Sequence, residues 1–107
     1  MQHQRLRDIT VRDPARNGSE VRTITGERLQ VLHQHVPANA AVRLHRHDNE
    51  QMTLVLSGRL RALVADQEII VGPQEIYIVP ANIEHSSEAI EDTVLVEVFA
   101  PPRLELA

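Results

Sequence analysis

The stretch NAAVRLHRHDNEQMTLVLSG, residues 39–58, decides the fold. His45 and His47 stand two apart in a segment, Ala41–His47, that reads as a β-strand. Side chains at i and i+2 share one face of a strand, about 6.5–7 Å apart, so two imidazoles can converge on one metal ion. A bare H-x-H is by itself most often chance or surface decoration, and His33-Gln34-His35 repeats it in this chain. What lifts the first pair is its surroundings. Gln51 follows His47 by four residues, Gly58 follows Gln51 by seven, and Pro80-x4-His85 lies downstream.

Working outward, the chain from Val21 onward is a series of short apolar segments: Val21–Thr25, Leu29–Val36, Ala41–His47, Met52–Leu56, Leu60–Val64, Glu68–Val71, Ile76–Val79, His85–Ala89 and Thr93–Phe99. Gly26, Pro37-Ala-Asn39, Asp48-Asn49, Ser57-Gly58, Asp66-Gln67, Gly72-Pro73, Pro80-Ala-Asn82 and Glu91-Asp92 interrupt them. Short strands at this spacing predict an all-β sandwich or barrel. No segment holds a 3.6-residue apolar period over three turns, so helix content should be minimal. Residues 1–20 are polar and Arg-rich and read as an arm or edge strand, leaving 21–107 as one domain.

Composition narrows the function classes. All eleven basic residues are Arg and face fifteen Asp+Glu, for a net charge of −4. That balance gives no electrostatic case for nucleic acid or an anionic membrane. With no cysteine, thiolate metal sites, Cys nucleophiles and disulfides are excluded. One Tyr, one Phe and no Trp leave no stacking platform for bases. There is neither an apolar leader region nor a run of 18 apolar residues, and a cytoplasmic protein is the expectation.

The pattern N-x5-H-x-H-x3-Q-x6-G (Asn39 to Gly58) resembles the first motif of the cupins, and Pro80-x4-His85 resembles the second. The resemblance spans residues about 29–104. It implies a jelly-roll barrel of two antiparallel sheets in which His45, His47, Gln51 and His85 bind one divalent metal ion. Asn39, Gln74 and Asn82 stand where cupins usually carry Gly; Asn tolerates positive φ, but Gln74 suggests a turn of another geometry. Ala89 replaces an Asn that often closes the second motif. Many cupins place Glu where this chain has Gln51. Three imidazoles and a carboxamide leave the ion its full charge, which should loosen metal binding, attract an anionic oxygen ligand and tilt the site away from O₂ chemistry. Glu50 would be the ligand instead if the strand bulges. Zn, Ni, Fe, Co, Cu and Mn all suit such a donor set, and a barrel that keeps its histidines yet works without metal is the bland alternative.

In Thr93-VLVEV-Phe99, Val94, Val96 and Val98 share one face, and Glu97 and Phe99 share the other. If the valines pack outward, Glu97 looks into the barrel as a candidate general base; otherwise it sits on a solvated face. EVFAPPR (97–103) resembles the D-x-F-x-P-x-R tail of cupins that process unsaturated uronates from pectin and alginate. Those proteins share the Glu50-Gln51 and Val55-Leu-Ser-Gly58 patterns. That resemblance implies metal-assisted ring opening of the sugar acid, with Glu97 (Asp in that family) catalytic and Phe99 and Arg103 lining the substrate pocket. Arg43 has the strand parity of His45 and is a second candidate anion anchor. His33 and His35 read as pocket-lining or exposed polar residues.

The leading expectation is therefore a metal-dependent isomerase or lyase on a small anionic molecule. A non-catalytic ligand-binding module and an iron-dependent dioxygenase are the alternatives. A core this small also predicts a homodimer, through apolar sheet faces with the N-terminal arm exchanged or paired at an edge.

Overall fold

In the computed structural model, which describes residues 1–107, the apolar segments form nine strands. They are β1 (Glu20–Thr25), β2 (Gln30–Val36), β3 (Ala41–His45), β4 (Glu50–Ser57), β5 (Leu60–Val64), β6 (Gln67–Val71), β7 (Ile76–Val79), β8 (His85–Ala89) and β9 (Thr93–Ala100). Two antiparallel sheets result, a five-stranded β1-β2-β9-β4-β7 and a four-stranded β3-β8-β5-β6. This is the all-β barrel that the spacing of the segments predicted, in the jelly-roll arrangement that the resemblance implied. Two 3₁₀ turns, Leu6–Asp8 and Leu104–Leu106, are the helical content.

Register on the central strand β9 decides what faces inward. Leu95 pairs with Gln34 and Val55, Glu97 with Leu32 and Thr53, and Phe99 with Gln30 and Gln51. Because facing residues share a side of the sheet, all of these look into the barrel. At one end the interior is packed: Val36, Val55, Leu60, Val71, Ala89 and Leu95 form one cluster. From Glu97 onward along β9, polar side chains mix with a second apolar cluster of Val21, Leu32 and Phe99, and the barrel opens into a cavity of about 940 Å³. Val94, Val96 and Val98 face out, as the alternation required.

Turns hold strained backbone where the sequence lacks glycine. Asn39, Gln74 and Asn82 all adopt positive φ, at 72°, 67° and 63°. The expectation of a different geometry at Gln74 is thus overturned: its amide bonds the Val55 carbonyl at 2.7 Å, and its side-chain amide reaches the Leu56 carbonyl at 3.3 Å. Those bonds hold a conformation that glycine would adopt freely. Gly58, at φ 87°, has no such freedom to be replaced, since a Cβ there would lie 2.3 Å from the Asp92 carbonyl.

Residues 1–19 make no strand beyond a single bridge, Arg12 to Val21. Between that bridge and β1, the Asp13 carboxylate accepts the amides of Asn17 (3.1 Å) and Gly18 (2.9 Å), closing a turn. The Asn17 side chain then donates to the Ala41 carbonyl at 3.1 Å, fixing the turn against β3 at the mouth of the cavity.

Candidate metal centre

Three imidazoles meet at the open end of the barrel. His45 on β3 pairs directly with His85 on β8, across a bulge between Val42 and His45. Ring centroids are 4.3 Å apart for His45–His85, 4.9 Å for His47–His85 and 5.4 Å for His45–His47. One nitrogen from each lies within 4.8 Å of the others. Strand parity placed His45 and His47 together, but for a reason the structure corrects. β3 ends at His45, and His47 sits in the irregular segment beyond it. What holds His47 is the Asn82 amide, which donates to its carbonyl at 2.7 Å and so ties the Pro80–Asn82 turn to the first motif.

Tautomers follow from the backbone. Nδ1 of His45, His47 and His85 lies 2.7, 3.0 and 2.8 Å from the carbonyls of Arg43, Asn49 and Ile83. A carbonyl can only accept, so each Nδ1 carries the proton and each Nε2 keeps a lone pair. Nε2 of His47 and of His85 is buried without any hydrogen-bond partner. Burial lowers the pKa of both, which keeps them neutral at pH 7. Buried lone pairs left unmatched by a donor are costly unless an ion meets them, and this donor set suits a divalent transition metal.

Gln51 is buried on β4 beside the cluster. Its Nε2 donates to Glu97 Oε2 at 2.9 Å and to Thr53 Oγ1 at 3.1 Å. With the amide nitrogen so engaged, the carboxamide oxygen is the atom of Gln51 left free to face a cation. Glu50, the alternative ligand, is exposed and pairs with Ala100 on the outward parity, so no bulge brings it in.

Glu97 lines the cavity. Beyond Gln51, it accepts from Thr53 Oγ1 at 3.2 Å and from Gln34 Nε2. Burial raises its pKa, while the hydrogen bonds from Thr53 and Gln34 and the Arg103 charge pull the other way. Phe99 is buried with its ring edge-on to His47, at a centroid distance of 5.5 Å. The Arg103 guanidinium stacks on Phe99 5.2 Å from the ring centroid, and its Nε donates to Glu105 at 2.8 Å. Arg43 lies exposed at the rim and contributes its carbonyl to His45. His33 and His35 are on the outward parity of β2, away from the cavity. Gln34, Thr53 and Tyr77 line or support the site and were missed, although a polar residue at inward parity in an apolar strand was the signal. Nothing local in the sequence marked Arg16 and Asn17, which wall the mouth.

The family profile described as the cupin domain matches residues 32–100. The chain is a cupin. Among solved structures, an RmlC-like cupin from Shewanella frigidimarina NCIMB 400 superposes with a TM-score of 0.93 at 16% identity, over 100% of this chain and 96% of that one. KdgF from Halomonas sp. follows with a TM-score of 0.80 at 18% identity, over 84% of each chain. Bacillus subtilis oxalate decarboxylase, a protein with Mn(II) centres, gives a TM-score of 0.80 at 22% identity, over 95% of this cupin and 30% of that chain. At these identities the likeness is one of fold. No curated protein matches the chain. No helix is long and apolar enough to cross a membrane.

Proposed function

We propose that this cupin is a metal-dependent enzyme of the isomerase or lyase type, acting on a small anionic, oxygenated substrate such as an unsaturated uronate. The observation that carries the proposal is one half-buried carboxylate, Glu97, in hydrogen-bond contact with Gln51 at the wall of a cavity that also holds three converging imidazoles. His45, His47, His85 and Gln51 would hold one divalent ion, Mn among the candidates. Such an ion, when bound, polarises a carbonyl or hydroxyl oxygen.

The remaining chemistry belongs to the chain. Arg103, flattened on Phe99 and pinned by Glu105 through Nε, keeps its two terminal nitrogens for a substrate carboxylate. Arg43 adds positive charge at the rim. Glu97, with its pKa raised by burial, is suited to take a proton from one carbon or oxygen and return it to another. Its Oε2 accepts the Gln51 amide and the Thr53 hydroxyl, so the carboxylate cannot swing away between the two transfers. The likeness of the 97–103 tail to the uronate-processing cupins supports the substrate class.

The test is turnover of a panel of unsaturated uronates and related hydroxy and keto acids by metal-loaded protein. Glu97→Ala should lose turnover by about 10²-fold or more while keeping its metal, read by elemental analysis. Fully loaded wild-type protein inert on the panel would sink the proposal. One observation favours a second reading, a ligand-binding cupin without catalysis: both Glu97 oxygens already accept hydrogen bonds, as expected of a group that orients Gln51. Tight binding of an acid without its conversion would establish that reading.

A further inference from the structure

We propose that the N-terminal turn Asp13–Ser19 builds a second anion-binding subsite in the cavity, whose ligand is an acid about two sugar units long with an anionic group at each end. This rests on the reading of Arg103 as the anchor for one carboxylate, and it gives the place of the other. Scale is the first sign. A cavity of about 940 Å³ lies at the top of the roughly 300–1,000 Å³ range of small-molecule sites. The chemistry fills only one part of it. His47 and Arg103 both pack on Phe99, and Glu97 bonds Gln51, which pairs with Phe99 across β4 and β9.

The turn walls another part. Asn17 fixes it to the carbonyl of Ala41, the first residue of β3, and His45 is the last. Four residues at about 3.3 Å each, less a little for the bulge, put the turn roughly 10–13 Å from His45 along the strand. One sugar ring does not bridge that span, and two do. The turn is also braced in advance. Arg12 at its base bridges to Val21, and the Arg12 guanidinium donates to the Leu106 carbonyl, so the segments carrying Arg16 and Arg103 are tied together. Little of it remains to be ordered when a ligand binds.

Arg16 is the positive group of this wall and makes no ion pair. The nearby Asp13 carboxylate is already taken by the amides of Asn17 and Gly18. Arg16 sits at φ 54°, a conformation that Gly or Asn adopts with less strain, and its amide bonds the Asp13 carbonyl at 3.1 Å. Ser19 is a second, independent sign. It shares the inward parity of Val21 and borders the cavity, and its Oγ is buried without any hydrogen-bond partner. Such a hydroxyl calls for a partner, and an oxygen of a ligand held by Arg16 is suited to be one. Charge selects the same class of ligand. The chain has fifteen acidic residues against eleven Arg, yet Arg16, Arg43 and Arg103 line the cavity against only Glu97 and Glu105, and Glu105 is paired with Arg103. The cavity therefore favours anions against the field of the whole molecule.

The test is calorimetric binding, with no need of turnover, to Mn(II)-loaded protein. Three acids are compared: galacturonate, digalacturonate, and lactobionate, which is two sugar units long but has one carboxylate. Digalacturonate should bind about tenfold tighter than either of the others. Arg16→Gln should bring digalacturonate down to the level of galacturonate and leave galacturonate unchanged; Gln74 shows that this chain carries glutamine at positive φ. Ser19→Ala has no hydrogen bond to lose, so it should fold as wild type and weaken digalacturonate alone by about threefold. Equal binding of galacturonate and digalacturonate, lactobionate as tight as digalacturonate, or an Arg16→Gln variant that keeps the preference overturns the subsite and leaves the reading of Arg103 standing. Binding of none of the three overturns both.

Discussion

Gln51 and Glu97 are best understood as a pair. The carboxamide donates to the carboxylate at 2.9 Å, so Glu97 fixes which way round the amide sits and leaves its oxygen free. Restoring the Glu that many cupins carry would put two carboxylates in contact, and one would have to hold a proton while no metal is present. Gln51→Glu is therefore expected to destabilise the metal-free protein by about 1–3 kcal/mol, read as a lowered urea midpoint. Excess divalent metal should recover the loss, because the added charge then faces a cation. An unchanged metal-free midpoint would contradict the pairing. The clustering of His45, His47 and His85 was legible because two motifs agreed in order and spacing. The Gln51–Glu97 contact was not, since the two are 46 residues apart and only the β4–β9 register brings them together.

At the scale of the element, β9 organises the fold. It is the middle strand of the larger sheet, and its alternation divides Leu95, Glu97 and Phe99 inside from the three valines outside. That division could be read directly from Thr93–Phe99, because a period of two leaves one choice once either face is assigned. β3 was harder. Its bulge between Val42 and His45 and its end at His45 leave no trace in local composition, so the parity argument reached the right cluster by a route the chain does not take. The β4–β5 connection makes the sharpest element-level prediction. Gly58→Ala combines a left-handed backbone with a Cβ 2.3 Å from the Asp92 carbonyl. It should cost about 3 kcal/mol or more, measured by urea denaturation, whereas Asn39→Gly at another positive-φ turn should change stability by less than about 1 kcal/mol.

For the whole molecule, buried titratable groups set how stability varies with pH. Burial lowers His33, His47 and His85 below the ordinary 6.5. Between their folded values and 6.5 the unfolded chain binds protons that the folded chain does not, so stability is present above that window and is lost as pH falls through it. Glu97 acts in the opposite sense: its folded value lies above 4.5, so stability falls as pH rises through that value. With three histidines against one carboxylate, the urea midpoint of the metal-free protein should fall from about pH 7 to about pH 5.5. Glu97→Gln, which removes the opposing contribution, should steepen that fall. A midpoint that rises on acidification would mean Glu97 dominates.

The N-terminal segment shows what sequence reading could not reach. It read only as a polar arm or edge strand, and the Asn17 bond to Ala41 is what places its turn at the cavity mouth. That placement separates two kinds of change open to this chain. Gln51, His85 and Glu97 stand on strands with neighbours on both sides, where a substitution disturbs the barrel. Groups that an incoming molecule meets first, such as Arg16, stand on a turn tied down by a few hydrogen bonds. Under the proposed function, which molecules are admitted and what happens to them are written in different parts of the chain, and the first can drift while the second is held still.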